Sequence, residues 1–421
     1  MITQALFPTQ VHRRLAPLIA ASFFGGLWLW VAVEKLFLAE LGFTPQTVGL
    51  MAAAYAGTVP LLELPSGILA DRWSRRGVLL LGNVGGFLSV LVGGLSANVG
   101  MYVVSALLLG VYLAMQSGTL DAVVYDTVLE ETGTSDRFES ILGRVRMVES
   151  AALVVSALMG GALAALTAPR VTYFLTLPFL AISTAFLMAF REPALHEQAG
   201  EKRSLRQHIG VTVSVVRADR RLVPVAALLV LTSVLTQAIF EFGPLWLVDA
   251  NAGAGAFGPT WAALMASLGL GGALAGRLRV DTLRAVTVLG TLLVASTGVL
   301  LWSSHVAVVT AAQVLAAVLS VVLGIFLTRA LHDAVPSDVR SGVASGVGAA
   351  TWMVFLPFAI GFGVASERWG VHAAGWMLVA IAGAIAGLLV VARQVLPATP
   401  AAIEADEAVA ALEPTPVPAA A

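Results

Sequence analysis

The sequence of 421 residues contains no cysteine and few charged side chains. Without thiols, the chain cannot form disulfides, thiolate metal sites or a cysteine nucleophile. Charged residues make up 12% of the chain, against roughly 25% in a soluble protein. Apolar residues make up 58%, and the mean hydropathy is +0.89. The composition therefore excludes an ordinary soluble domain and predicts an all-α protein that crosses a membrane many times.

Twelve apolar runs have the length of a membrane-spanning helix. The predicted spans are 15–39, 46–70, 77–97, 99–121, 142–166, 170–190, 222–248, 257–277, 284–303, 305–328, 342–365 and 372–395. They form two bundles of six helices, 15–190 and 222–395. The linker 191–221 is predicted to hold a short amphipathic helix, and the tail 396–421 is predicted to be disordered.

Basic residues are distributed unevenly between the two sides of the predicted membrane. With the N-terminal segment 1–14 inside, nearly all of the 24 Lys and Arg residues fall on the inner side, the exceptions being Lys35, Arg170 and Arg368. This asymmetry predicts that both termini are cytoplasmic. Arginine greatly outnumbers lysine and alanine is abundant, which indicates a bacterial protein and hence the inner (plasma) membrane.

The two halves of the chain resemble each other. Arg13-Arg14-Leu15-Ala16-Pro17 before the first span recurs as Arg220-Arg221-Leu222-Val223-Pro224 before the seventh. At the same offset, Glu34 in the first span matches Glu241 in the seventh. Both copies start on the same side, so the repeat predicts two parallel six-helix halves with a binding site between them near the midplane.

The loop after the second span carries a family motif. Gly67-Ile-Leu-Ala-Asp71-Arg72-Trp-Ser-Arg75-Arg76 resembles the signature loop of the major facilitator superfamily, with Ser74 where that family usually has glycine. The segments from Glu63 to Gly67 and from Ser117 to Asp126 resemble a bacterial drug-efflux-like branch. The pair Gly160-Gly161 departs from the Gly-Pro element that is typical of many drug–proton antiporters.

The resemblance implies a cytoplasmic gate formed by Gly67, Asp71, Arg72, Arg75, Arg76 and Asp126. In the family, the aspartate of the loop lies against the start of helix 11, where exposed amides and the helix dipole stabilise a carboxylate. Asp126 is then a candidate partner for Arg72, while Arg75 and Arg76 contact lipid headgroups or neighbouring acids. The alternative is that these charges only fix the topology.

Three ionisable residues lie at membrane depth near the outer side, namely Glu34, Lys35 and Glu241. Such residues are costly in a bilayer unless they are paired or hydrated, so each is a candidate for function. Adjacent positions point about 100° apart on a helix, so Glu34 and Lys35 are not expected to face the same way. These residues either lie on the substrate and proton pathway, or Lys35 pairs with Glu34 or Glu241 and locks an outer gate.

Two further carboxylates, Glu63 and Glu149, are predicted in the inner parts of the second and fifth spans. A buried carboxylate can load and release a proton, so both are candidate proton carriers. For Glu63 an alternative is that it satisfies backbone amides freed by Pro65, or pairs with Arg144 or Arg146.

Large aromatic and amide side chains are candidates for the wall of a substrate cavity. Trp28, Trp30, Gln116, Gln237, Trp246 and Trp352 would suit an apolar or cationic compound through stacking and cation–π contact. Tryptophan is also an interfacial anchor, and this second interpretation is favoured for Trp246 and Trp369 near helix ends.

Nucleotide loops, metal-ligand clusters and catalytic triads are missing from the sequence, so neither an enzyme nor a cofactor is predicted. The favoured function is a monomeric secondary transporter that exports small apolar or cationic compounds in exchange for protons. Its partners are the substrate, protons and the lipid bilayer, and nucleic acid is not among them. A metabolite uptake permease or uniporter on the same fold is the alternative, and a membrane sensor that does not transport is less favoured.

Overall fold

A computed structural model describes residues 9–116, 119–133, 138–193, 222–275, 282–333 and 340–392. All regular elements within these ranges are helical, and they form twelve segments that we number α1 to α12. The segments are α1 (Thr9–Gly25, then Val31–Val33 and Glu34–Glu40), α2 (Pro45–Arg72), α3 (Arg75–Leu95), α4 (Val99–Gln116 and Thr119–Thr132), α5 (Phe138–Leu166), α6 (Pro169–Ala189), α7 (Leu222–Phe242 and Pro244–Asp249), α8 (Ala254–Ala275), α9 (Leu283–Val299), α10 (Val306–Asp333), and α11 and α12, which together form Arg340–Ala392 and are separated at Gly370.

Most of the helices have the length and apolar character of membrane spans. By length and composition alone, seven stretches of the described chain are long and apolar enough to cross a membrane, and the stretch Gly346–Ala392 contains both α11 and α12. The twelve segments agree with the twelve predicted spans, so the predicted fold class is confirmed. The predicted domain boundaries stay predictions, because the linker helix and the tail lie outside the described residues.

Two breaks divide what the hydropathy pattern shows as continuous apolar sequence. Gly370 separates α11 from α12 at φ 83°, a conformation that glycine adopts without strain. In α1, residues 26–30 leave the α-helix before a 3₁₀ turn at Val31–Val33. The prediction of one uninterrupted helix over 15–39 is therefore wrong.

The break in α1 is supported by neighbouring helices. The backbone N–H of Leu29 donates to the Thr176 hydroxyl of α6 at 3.2 Å, which replaces a lost helical bond. Gly160 of α5 allows the Leu29 carbonyl to approach, since a Cβ at this position would overlap it. A backbone that leaves a membrane helix requires partners of this kind.

The helices form two halves, α1–α6 and α7–α12, whose ends we name by the chain. The terminal end carries the start of α1 and the end of α12, and the far end carries the turn between α1 and α2. At the far end the backbones of α2 and α11 touch at Gly49 and Gly363, and those of α5 and α8 touch at Gly161 and Gly258. Paired small residues allow this close helix packing in a membrane.

The apolar core follows the same division. One large buried cluster joins both halves and includes Phe37, Phe43, Phe242, Trp246 and Phe362 near the far end. A second cluster lies at the terminal end of the first half and is built only from residues of that half, such as Leu15, Leu79, Val123 and Phe190. The halves therefore meet at the far end, and each half has its own packing toward the terminal end.

Candidate functional site

A cavity of about 490 Å³ lies between the two halves. Leucines line it toward the terminal end, among them Leu18, Leu79, Leu120 and Leu187. Charged and aromatic side chains line it toward the far end. This second group comprises Trp28, Trp30, Glu34, Lys35, Tyr55, Tyr112, Phe240, Glu241 and Trp261.

One lysine joins two carboxylates at the far end of the cavity. The Lys35 ammonium lies 2.7 Å from Glu34 Oε2 and 2.5 Å from Glu241 Oε1, and its side chain is 3% exposed. The expectation that Glu34 and Lys35 point apart is wrong, because their charged groups meet. Glu34 is the first residue of the helical segment after the break in α1. The backbone at the pair is therefore not a regular helix, and the long lysine side chain reaches the acid.

Tyrosine hydroxyls complete the carboxylate cluster. Tyr55 of α2 donates to Glu241 Oε2 at 2.6 Å, and Tyr102 of α4 donates to Glu34 Oε1 at 2.9 Å. The Tyr102 hydroxyl also lies 2.7 Å from that of Tyr173 in α6. Glu241 is thus the member from the second half, and both of its partners belong to the first half.

These tyrosines were not among the residues predicted from the sequence. Tyrosine counts as apolar in a hydropathy pattern, although its hydroxyl usually finds a hydrogen-bond partner when it is buried. A useful signal would have been that the chain has only five tyrosines, and that Tyr55, Tyr102 and Tyr173 all fall inside predicted spans.

Aromatic rings in mutual contact form the wall beside this cluster. The Trp28 ring lies 4.8 Å from that of Tyr112 and 5.9 Å from that of Trp30, measured between centroids. Trp30 stacks on Tyr173 at 5.0 Å. The π face of an aromatic ring attracts a cation that lies over it.

The structure separates the predicted cavity residues into two groups. Trp28, Trp30, Gln116 and Gln237 line the cavity. Trp352 and Trp246 are not among the lining residues. Trp246 is 1% exposed and donates to the Leu300 carbonyl at 2.8 Å, so its interpretation as an interfacial anchor is wrong. Trp369 is 68% exposed, as an anchor would be.

A second group of charges borders the cavity nearer the terminal end. Glu149 of α5 lines the cavity and accepts from Arg146 at 3.0 Å, while Arg146 also pairs with Asp121 of α4 at 2.6 Å. Gln116 donates to Asn83 of α3 at 3.3 Å. These contacts join α3, α4 and α5 along one wall of the first half.

The loop between α2 and α3 is held by acids of the first half. Arg75 forms an ion pair with Asp126 and donates to the Ala122 carbonyl at 3.1 Å. Glu192 accepts from the Ser74 hydroxyl and from the Arg75 backbone N–H, at 2.5 and 2.6 Å, and so caps the start of α3. Glu192 was not predicted. The partner described for Asp126 is thus Arg75, where Arg72 had been expected.

The remaining members of the predicted gate are only partly described. Arg76 donates to the Phe190 carbonyl at 3.0 Å, which is a contact within the protein. The side chains of Glu63, Asp71 and Arg72, and the surroundings of Gly67, lie outside the described residues. Among the described residues, no group of three or more His, Asp or Glu side chains could hold a metal ion.

Solved structures share this architecture at low sequence identity. A bacterial homologue of the human lysosomal transporter Spinster, inward-facing and unoccupied, is 13% identical with a TM-score of 0.74, over 92% of this chain and 97% of that chain. The nucleoside transporter NupG is 13% identical with a TM-score of 0.71, over 92% and 99%. A D-xylose–proton symporter is 15% identical with a TM-score of 0.65, over 92% and 99%. The TM-scores show a common fold, and at identities this low the likeness shows the fold alone.

The sequence itself gives the family. A search of curated proteins found no match. The model of the Major Facilitator Superfamily matches residues 15–362, which is most of the chain. The chain is therefore a multi-pass membrane protein with a transporter fold, and it belongs to the Major Facilitator Superfamily.

Proposed function

We propose that the protein is a secondary active transporter that exports small apolar or cationic compounds in exchange for protons, by alternating access. The observation that carries this proposal is the cavity between the halves, in which aromatic walls lie beside carboxylates of both halves. Buried carboxylates that meet across the moving boundary can link proton binding to movement of the halves.

The lining of the cavity supports a cationic or apolar substrate. Its charged members are Glu34, Glu241, Glu149 and Lys35, so acids outnumber bases on the wall. Trp28 and Tyr112 add π faces, and a cation over such a face gains about 0.5–2 kcal/mol. The leucines toward the terminal end suit the apolar part of such a compound.

The contacts between the halves support an inward-facing state. The ion pair of Lys35 with Glu241, and the hydrogen bond from the Gln46 backbone to Glu367 at 3.2 Å, join the halves at the far end. With the termini in the cytoplasm, as the basic residues predict, the far end is the extracellular gate. The cavity then receives substrate from the cytoplasm.

Glu241 is the acid best placed to carry the proton. When the far end opens, Glu34 keeps Lys35 and Tyr102, which belong to its own half. Glu241 loses both Lys35 and Tyr55. The Lys35 ammonium stabilises the ionised form of Glu241, so its departure favours a proton on that carboxylate. Closure would return Lys35 to Glu241 and release the proton toward the cytoplasm, opposite to an exported substrate.

Transport into proteoliposomes tests the proposal. The probe is ethidium, an aromatic cation, and DNA trapped in the lumen reports its entry by fluorescence. For molecules inserted with their cytoplasmic face outward, we expect ethidium entry to accelerate when the lumen is acidic. Entry that ignores the gradient would contradict proton coupling and favour a uniporter. The absence of any entry above protein-free liposomes would contradict the cationic substrate class.

A further inference from the structure

A crevice separate from the central cavity lies in the second half of the molecule, α7–α12. It has a volume of about 640 Å³ and is lined by α7, α8 and α10. Gln237 and Phe240 of α7 line both this crevice and the central cavity, so the two spaces adjoin. A compound in the central cavity could therefore extend a part of itself into the second half.

Hydroxyl groups supply much of the polar surface of the crevice. Thr232, Ser233 and Thr236 of α7 lie on one side, and Ser320 and Thr328 of α10 lie on the other. Thr236 donates to the Thr232 carbonyl at 2.8 Å, which is the usual arrangement for a hydroxyl within a helix. Thr232 and Ser320 differ from this pattern.

Two of the hydroxyls are buried without a partner. Thr232 and Ser320 are each 1% exposed, and neither side-chain oxygen makes a hydrogen bond within the described chain. Thr297, also buried in this half, bonds the Leu293 carbonyl at 3.0 Å. An unsatisfied buried hydroxyl costs about 1–3 kcal/mol, and these two lie in the wall of one crevice, where a ligand could supply the missing bonds.

The rest of the crevice decides which chemical group fits. Its other lining residues include Met265, Leu268 and Ile325, and none of the lining residues is ionisable. Gly271 lets α8 approach Val321 of α10, which brings two of the three helices together beside the crevice. An apolar wall with a few convergent hydroxyls selects a neutral hydrogen-bonding group.

We propose that this hydroxyl crevice is a substrate subsite that binds a neutral hydroxyl, ether or carbonyl group through Thr232 and Ser320. The preferred substrate is then an amphiphilic cation with a polar arm. Its cationic aromatic part lies in the central cavity, and its arm lies in the second half. The cationic part of this description rests on the proposed function, whereas the arm rests on the crevice alone.

Two probes that differ by one hydroxyl test the subsite. Butyltriphenylphosphonium and (4-hydroxybutyl)triphenylphosphonium are titrated into the purified full chain in detergent, and their affinities are compared by calorimetry. We expect the ratio of affinities to favour the hydroxybutyl probe in the unmodified protein. In Thr232→Val and Ser320→Ala, that ratio should fall about fivefold, as expected for one lost hydrogen bond.

A matched control is Thr297→Val, which removes a buried hydroxyl of the same half that already has a partner. The control should keep the ratio and lower the melting temperature. Thr232→Val and Ser320→Ala should not lower it, because they remove unsatisfied groups, and this second measurement shows whether the variants fold. An unchanged ratio in both crevice variants overturns the subsite while leaving the proposed function intact. Failure of both probes to bind overturns the cationic substrate class and the subsite together.

Discussion

At the scale of single residues, the far end depends on one cation shared by two acids. The Lys35 side chain is 3% exposed and pairs with Glu34 and Glu241. Tyr55 and Tyr102 donate to the carboxylate oxygens that Lys35 does not bind, Glu241 Oε2 and Glu34 Oε1. Glu241 has its two partners only while the halves are together, since both belong to the first half. Whether the charge of Glu241 is balanced therefore depends on the relative position of the two halves.

Neutralising each acid in turn separates their roles. In Glu241→Gln we expect export to lose its dependence on the proton gradient, because the amide needs no proton when Lys35 leaves. In Glu34→Gln we expect slower export that still follows the gradient. The ethidium assay, repeated at several lumen pH values, measures both. Equal loss of pH dependence in the two variants would contradict the special role of Glu241.

A second residue-scale prediction concerns the loop between α2 and α3. Arg75 is 9% exposed and pairs with Asp126, whereas its neighbour Arg76 bonds a backbone carbonyl at a more exposed position. Arg75→Ala should cost about 3 kcal/mol of stability by leaving Asp126 unpaired. Thermal unfolding in detergent compares it with Arg76→Ala. Similar melting temperatures for the two variants would show that the Arg75 pair contributes little.

The sequence could predict this chemistry only in part. A charged residue inside an apolar run is visible at once, so Glu34, Lys35, Glu241 and Glu149 could be chosen as candidates. The pairing of Lys35 with Glu34 or Glu241 was one of the two interpretations drawn from the sequence, the other being a substrate and proton pathway. The tyrosines and Glu192 could not be chosen, because their importance comes from contacts between distant helices.

At the scale of helices, the far end closes through glycine. Gly161 of α5 meets Gly258 of α8, and Gly49 of α2 meets Gly363 of α11. The two contacts are equivalent under the repeat, since α2 corresponds to α8 and α5 to α11. Each places backbone against backbone, which leaves no room for a side chain.

Valine at one of these contacts should hold the far end open. Gly258→Val would place its side chain against the Ala157 carbonyl and Gly161, while Gly269→Val meets nothing within 4 Å and serves as the control. Because the natural chain has no cysteine, a single Met51→Cys change reports access to the cavity. We expect a membrane-impermeant thiol reagent, applied only from the far-end side of the membrane, to modify it several-fold faster in Gly258→Val than in the control. Equal rates would mean that α5 and α8 do not form part of the gate.

The number of helices was predictable, but their interruptions were not. Hydropathy gave all twelve segments, because burial in lipid requires long apolar runs whatever the fold. The break in α1 near Gly26 contains Leu27, Trp28 and Leu29, which are as apolar as the helix around them. Its cause is the Thr176 hydroxyl and the space at Gly160, and both come from other helices.

At the scale of the whole molecule, the proposed alternating access requires the halves to separate at the far end. The start of α2 is attached to α11 there, since the Gln46 backbone donates to Glu367. A fixed link at this point should stop the cycle in the state described above. The cavity would remain accessible from the terminal end.

A reversible cross-link provides this link. In the double variant Gln46→Cys and Glu367→Cys, a short bis-methanethiosulfonate reagent should abolish ethidium transport while ethidium binding persists. Reduction with dithiothreitol should restore transport, and each single variant treated in the same way should transport normally. Full transport by the cross-linked protein would contradict movement at the far end.

The lysine between the two acids also has a consequence for symmetry. Glu34 and Glu241 are equivalent positions, so the residue equivalent to Lys35 is Phe242, which is buried and stacks on Phe362 at 4.5 Å. The ammonium is almost equidistant from two carboxylates that the repeat relates, while only one half provides it. Without this lysine, the repeat would give Glu34 and Glu241 equivalent surroundings. In the proposed cycle, one unmatched side chain would make the acids unequal each time the halves part, and this inequality would select Glu241 as the carrier.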